Sequence, residues 1–370
     1  MFKYFLNKIN LPRPFTGNLI TRKQPCRMCG STGALTIAET DFWDLQHSDI
    51  VKCTKCGHIQ LDPMLTSEAT ETGCNAYWLE EIINTSIKEQ ERNLIRNYRR
   101  GILFASQIKR RGFNPETILE FGPGSGYFGS GVQFIFPDCR ITVVDIVEEV
   151  LRNNKEIHGS LTFKGTPENL EQVGSRKFDL IIARDIIEHV TDISKVIDNV
   201  VKHLSDNGLF LFITPNGHED VWGHFVRWKL SKEPSELLIN HVNYYDGTGL
   251  LEFLKKNGLS SVSYYTYQVK TMIRGKGWSM NPRLAAAISQ RRSSGEMIAR
   301  KEQVSSQSGF NKKKILRHWL FNTKFKWITV LYCWYHHFTL VRLSPTLNVG
   351  HEIFGLFIKK GMQVNGNASK

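Results

Sequence analysis

At 370 residues, with 41% hydrophobic and 22% charged side chains, the chain has a globular composition and the length for more than one domain, which excludes wholesale disorder. The formal net charge of +13 is concentrated in 92–111 and 291–326, stretches that read either as solvated faces or as a surface for phosphate-bearing partners. No uncharged apolar run is long enough to span a membrane, the apolar block at 1–9 is too interrupted for a secretory signal, and the expected location is the cytoplasm.

Residues 1–21, with Pro12, Pro14 and Gly17, read as an irregular arm. Residues 22–63 are bounded by two cysteine knuckles, Cys26-Arg-Met-Cys29-Gly30 and Cys53-Thr-Lys-Cys56-Gly57. Each knuckle turns two thiolates toward one point, and two knuckles complete a tetrahedron around Zn²⁺. Four thiolates leave no position open for substrate, so the expected zinc is structural and stabilises a module too small to fold on its core alone. Short strands are expected at 34–37 and 50–52, giving a small ribbon, with His47 and His58 at its surface or beside the ligands. Four of the seven cysteines lie in the knuckles, which favours a metal in a reducing compartment over disulfides, while Cys74, Cys139 and Cys333 are scattered and expected to be inert.

Apolar positions from Ile82 to Ile108 recur at helical spacing among charges, so 64–112 reads as connecting helices that provide the first cover of a sheet. From Glu116 onward short apolar strands alternate with helical stretches, the pattern of a doubly wound α/β sheet. Strands are expected at 117–121, 140–145, 161–164, 178–184, 208–214 and 260–267.

The first strand runs into Leu119-Glu120-Phe121-Gly122-Pro123-Gly124-Ser125-Gly126. Alternate glycines directly after an acidic residue suit a backbone that turns sharply off a strand and approaches a ligand too closely for Cβ atoms. The second strand ends in Asp145, a carboxylate suited to ribose hydroxyls. Tyr127 occupies the position of the third glycine in a dinucleotide fingerprint, and no Gly-Lys-Ser/Thr follows, which points to a nucleoside without a pyrophosphate.

These two motifs, followed in order by Lys177-Phe-Asp-Leu-Ile-Ile-Ala-Arg-Asp-Ile-Ile-Glu-His-Val190 and Asn207-Gly-Leu-Phe-Leu-Phe-Ile-Thr-Pro-Asn216, resemble the class I S-adenosylmethionine-dependent methyltransferases over about residues 113–265. The resemblance implies a Rossmann-like, mainly parallel seven-stranded sheet. Its last strand pairs antiparallel, and 352–359 within 346–362 fits that strand. Residues 113–267 then form the cofactor-binding core, 268–345 a basic aromatic helical insertion, and 363–370 a disordered tail. The resemblance further implies that Glu120, Gly122, Gly124 and Gly126 hold the methionine part of S-adenosylmethionine, that Asp145 holds the ribose, and that Asp185 lies near the transferable methyl. Where related chains often have Gly-Asp-Ala this one has Gly165-Thr166-Pro167, so Glu168 is offered as the adenine contact.

The Asp-Ile-Ile-Glu-His-Val stretch and His241-Val-Asn-Tyr-Tyr245 resemble the branch acting on small molecules such as quinones and sugars. A zinc ribbon and an aromatic segment, here Tyr77-Trp78, placed before the core resemble sugar-modifying methyltransferases. The further C-terminal domain of the C-methylating members is not recognisable, which favours O-methylation of a sugar or carrier-linked glycan. A hydroxyl acceptor must lose its proton, and imidazole is the usual base. His241, with Tyr244 nearby, and His189 are the candidates. His189 reads equally as a packed residue supporting the site. The chain has Ala183-Arg184-Asp185-Ile186 where amine-methylating nucleic-acid enzymes need Asn/Asp-Pro-Pro-aromatic, which argues against nucleic acid. Residues 315–343, aromatic and basic at helical spacing, read either as core or as a peripheral contact with the inner face of the membrane.

Overall fold

A computed structural model describes residues 19–21, 24–42, 46–66, 68–70, 72–73, 87–217, 220–221, 241–267 and 352–362. Tyr77-Trp78, Cys74, the insertion at 268–345 with Cys333 and the segment 315–343, and the tail at 363–370 lie outside the described residues.

The larger sheet has seven strands: β5 (Thr117–Phe121), β6 (Arg140–Asp145), β7 (Leu161–Lys164), β8 (Phe178–Arg184), β9 (Leu204–Pro215), β11 (Leu259–Tyr267) and β12 (Glu352–Lys359). Their spatial order is β11-β12-β9-β8-β5-β6-β7. The pairs from β9 to β7 are parallel, and β12 slots antiparallel between β9 and β11. This is the doubly wound, mainly parallel arrangement expected from the alternation of apolar runs and helical stretches. Strand β9 begins earlier than the 208–214 expected, because the turn residues Asp206 and Asn207 are carried inside the strand.

Central strands bury both faces. In β8 Leu180, Ile181, Ile182 and Ala183 are all inaccessible, which is why Phe178–Arg184 reads as a continuous apolar run and not as an alternation. One face is covered by α4 (Ile193–His203) and α5 (Gly247–Lys256) through Val196, Val200, Leu250 and Leu254. Helices α1 (Ile87–Arg110), α2 (Tyr127–Ile135) and α3 (Glu148–His158) cover the other, with Phe104, Ile108, Phe128 and Leu151. Helices α1 and α2 meet backbone to backbone: a Cβ on Gly101 would lie 2.1 Å from the Phe128 carbonyl oxygen.

The N-terminal module is an antiparallel sheet of β1 (Leu19–Thr21), β2 (Gly33–Phe42), β3 (Gln46–Cys53) and β4 (Ile59–Asp62). Its strands are longer than the short ones expected, and its edge strand β1 falls within the expected irregular arm. The fifth strand of this sheet, β10 (Asn243–Tyr244), comes from far along the chain and pairs with β4. Ile50, Leu61, Met64 and Leu65 share an apolar cluster with Val221, Val242 and Tyr244, so the ribbon is built onto the larger domain.

Candidate active site

At the carboxyl end of β5 the chain leaves the sheet through three glycines with positive φ: Gly122 at 54°, Gly124 at 55° and Gly126 at 78°. The conformation requires glycine there, and a Cβ on Gly122 would also lie 2.0 Å from Ile186 Cδ1, so the Ile186 side chain would have to move. The turn is braced from α3, where Asn154 Nδ2 donates to the Gly124 carbonyl at 3.1 Å and His158 Nε2 donates to that of Gly126 at 2.7 Å.

Glu120 is buried beneath this turn, and its Oε2 has no hydrogen-bond partner among the described residues. Burial pushes its carboxyl up to about 7, against a smaller opposing pull from Arg184. Asp145, at the end of β6, accepts from the Val147 N–H at 2.8 Å, and burial pushes it up to about 6. Two desolvated carboxyls on either side of a glycine turn suit a ligand with an ammonium group at one end and ribose hydroxyls at the other. An orphaned oxygen on Glu120 beneath a turn of three positive-φ glycines fits S-adenosylmethionine. Glu168, the expected adenine contact, uses Oε1 to accept from Thr191 N at 2.9 Å and Thr191 Oγ1 at 3.4 Å, tying it to the loop after β8.

That loop forms the other end of the site. Asp185 is the one non-glycine residue among those described with positive φ, at 54°, a conformation that Asp tolerates better than most. Its N–H donates to the Ile213 carbonyl at 2.8 Å, and Arg184 Nη1 donates to its Oδ2 at 2.7 Å. Burial alone would raise the Asp185 carboxyl, but Arg184, Arg100, His241 and His189 together hold it below the usual range.

A 3₁₀ turn, Ile187–His189, follows. Glu188 is buried, with Oε2 accepting from Thr214 Oγ1 at 2.9 Å and Oε1 without a partner among the described residues. Burial pushes it up to about 8. Burial pushes His189 down to about 3, with His241 adding to the effect. His241 behaves oppositely: burial opposes its charge, but Asp220, whose Oδ2 lies 2.6 Å from His241 Nδ1, outweighs burial and raises it. The two imidazoles meet edge to face, with planes 68° and centroids 4.9 Å apart. Tyr244 is buried, with its ring 6.1 Å from that of His241.

The structure thus brings Asp185, His189 and His241 to one edge, although 241 is remote from the others in sequence. Sequence reading named neither Asp220 nor Glu188 as a site residue. Glu188 lay beside His189 in the quoted motif and carried a usable signal, whereas nothing local marked Asp220.

In the ribbon, Cys26 Sγ lies 3.5 Å from Cys56 Sγ, and Cys29 Sγ lies 3.6 Å from Cys53 Sγ. A tetrahedron with Zn–S bonds of about 2.3 Å has edges of about 3.8 Å, so the four thiols have the donor set and spacing for Zn²⁺. His47 is exposed, but His58 is buried: it stacks on Tyr245 at 5.2 Å and lies 3.2 Å from Asn243 Oδ1. Asn243 Nδ2 donates to the Val190 carbonyl at 2.7 Å, and Tyr245 Oη donates to that of Ile187 at 2.8 Å. The ribbon therefore buttresses, through residues 243–245, the turn that carries Glu188 and His189. No helix among the described residues is long and apolar enough to cross a membrane.

Comparison with known proteins gives a match to the family model for a methyltransferase domain over residues 90–264. Among curated relatives, a malonyl-[acyl-carrier protein] O-methyltransferase of Bacillus anthracis is 31% identical over 26% of this chain and 36% of its own. A ribosomal RNA small subunit methyltransferase C of Buchnera aphidicola is 29% identical, covering 35% of this chain and 44% of its own. A ubiquinone biosynthesis O-methyltransferase of Bartonella tribocorum is 28% identical, covering 40% and 62% respectively. The chain spans less than half the length of the first curated relatives it matches. Residues 90–264, which carry the glycine turn and most of the seven-stranded sheet, are thus similar to methyltransferase domains.

Proposed function

We propose that the chain transfers a methyl group from S-adenosylmethionine to an oxygen of a small polar acceptor, a sugar or carrier-linked glycan. One observation carries the reading: an edge-to-face pair of imidazoles, one held by Asp220, stands on the same sheet edge as Asp185. S-adenosylmethionine supplies a sulfonium-activated methyl, so the protein's task is mainly alignment and removal of the acceptor's proton. Glu120 would receive the ammonium of the methionine part, Gly122, Gly124 and Gly126 would let the backbone approach it, and Asp145 would hold the ribose. Asp185 would lie near the transferable methyl, and Glu168 would border the adenine. Asp220 fixes His241 through Nδ1, which leaves Nε2 for chemistry at the acceptor. Tyr244 would line that end.

The glycan preference rests on the ribbon placed ahead of the domain. The relatives' names span a carrier-bound acid, RNA and a quinone, so they support methyl transfer more than any one acceptor. A Zn²⁺ on Cys26, Cys29, Cys53 and Cys56 would be structural and would keep the ribbon in place against residues 243–245. Incubating the purified chain with isotopically labelled S-adenosylmethionine and fractionated cell extract, followed by mass spectrometry, tests the reading. Label on a glycan or glycan carrier is the expected result. Label on RNA or protein alone would overturn the acceptor class, and no transfer to any fraction would overturn the activity.

A further inference from the structure

Outside the ribbon, the described residues hold one other grouping of metal-type donors. The carboxylate of Glu188 and one ring nitrogen each of His189 and His241 lie within 4.8 Å of one another. Donors around one ion at about 2.1 Å stand about 3 to 4.2 Å apart, so adjustments of about half an ångström would close the set. Two further details make it more than a chance meeting of polar groups. Glu188 Oε1 is fully buried with no hydrogen-bond partner among the described residues, while Oε2 is fixed by Thr214. His241 Nδ1 is occupied by Asp220, the carboxylate-to-imidazole arrangement that fixes the tautomer of a ligating histidine and presents Nε2 to the metal.

We infer that Glu188, His189 and His241 form a site for a divalent first-row cation at the acceptor end of the cleft. Two imidazoles and one carboxylate on one side of an ion leave positions open for an acceptor hydroxyl and water. The donor set lacks sulfur, so the site is chemically distinct from the four-cysteine ribbon. The proposal rests on the methyl-transfer reading and deepens it. The cation would polarise the acceptor O–H, whose proton leaves to water. The oxygen lone pair then forms the new O–C bond as the C–S bond of the donor breaks and its electron pair returns to sulfur. His241 would act by holding the cation, and Asp220 would be a positioning residue.

The test uses the full chain with its ribbon loaded with Zn²⁺, and Mn²⁺ as the probe, because Mn²⁺ favours oxygen and imidazole over thiolate. Loss of the free Mn²⁺ electron paramagnetic resonance signal on titration should report about one site per chain. Glu188→Gln and His189→Asn should each weaken Mn²⁺ binding by at least roughly tenfold. Binding of S-adenosylhomocysteine, measured on the same samples by calorimetry, should stay within about twofold of wild type and so certify the fold. If one variant fails to fold, the other decides. Mn²⁺ left free at millimolar wild-type chain, or bound equally by wild type and the folded variants, overturns the site. Mn²⁺ binding without S-adenosylhomocysteine binding would leave the cation site standing and overturn the methyltransferase reading. The reverse pattern would do the opposite.

Discussion

The two ends of the cleft are built in different ways. The donor end is local: Glu120, the glycine turn and Asp145 lie within 26 consecutive residues on adjacent parallel strands, braced by a single helix. The acceptor end is assembled from afar, from Asp185 to His189 after β8, Thr214 on β9, Asp220, and 241–245, with the ribbon at its back. The donor end should therefore stand without the ribbon, and the acceptor end should not.

The largest expected effect is at the donor end. Gly124→Val places a branched side chain at φ 55°, in the turn that must admit the ligand. Affinity for S-adenosylhomocysteine should fall by roughly 100-fold or more, equivalent to about 2.7 kcal/mol, in a titration calorimeter. Unchanged affinity would show that the ligand does not meet this turn.

Next comes His241→Ala, expected to lower turnover by roughly 100-fold while leaving cofactor affinity intact. Near-normal turnover would remove this imidazole from the chemistry.

Cys53→Ser sharpens the contrast. It should release the zinc, lower the melting temperature and reduce turnover, yet leave S-adenosylhomocysteine affinity within about threefold of wild type. Elemental analysis should find about one zinc per wild-type chain. A metal-free and fully stable wild type would sink the zinc assignment, and equal loss of cofactor affinity would show that the two ends are not independent.

A further effect concerns pH. Because burial raises the Glu120 carboxyl to about 7, the ligand-free fold holds a proton that the unfolded chain has already lost above about 4.5. Stability from this group is thus present at low pH and declines as pH rises through about 4.5 to 7. Glu120→Gln removes the penalty. It should stabilise the ligand-free chain at pH 8 by about 3 kcal/mol, leave it nearly unchanged at pH 4.5, and weaken cofactor binding. Equal melting temperatures of variant and wild type at pH 8 would mean that Glu120 is better solvated than the fold indicates.

The same asymmetry governs what could be read from sequence. Strand–turn–helix chemistry at Gly122 to Gly126 is a matter of local φ values and close approach, and both are visible as residue type and spacing. The knuckles are legible for the same reason. The partnership of His241 with Asp220 and of Glu188 with Thr214 depends on which loops meet at the sheet edge, and no periodicity encodes that. The role of Asn243 and Tyr245 in joining the ribbon to the 187–190 turn was equally hidden, since a two-residue strand is too short to leave a pattern. Strand lengths in the ribbon were underestimated because Thr40, Asp41, Gln46 and His47 belong to hairpin ends where pairing persists beyond the apolar residues.

The two-residue strand β10 has one more consequence. It pairs with β4, which would otherwise be the open edge of the ribbon sheet, and Ile59 and Leu61 on that strand are buried. Bare strand edges with apolar side chains recruit other strands, and proteins guard them by covering them. Residues 243–244 therefore act as a stopper as well as a link. If 241–245 swung out to admit a bulky acceptor, it would uncover a surface prone to edge-to-edge self-association, so a chain that remains monodisperse through turnover must keep this strand seated.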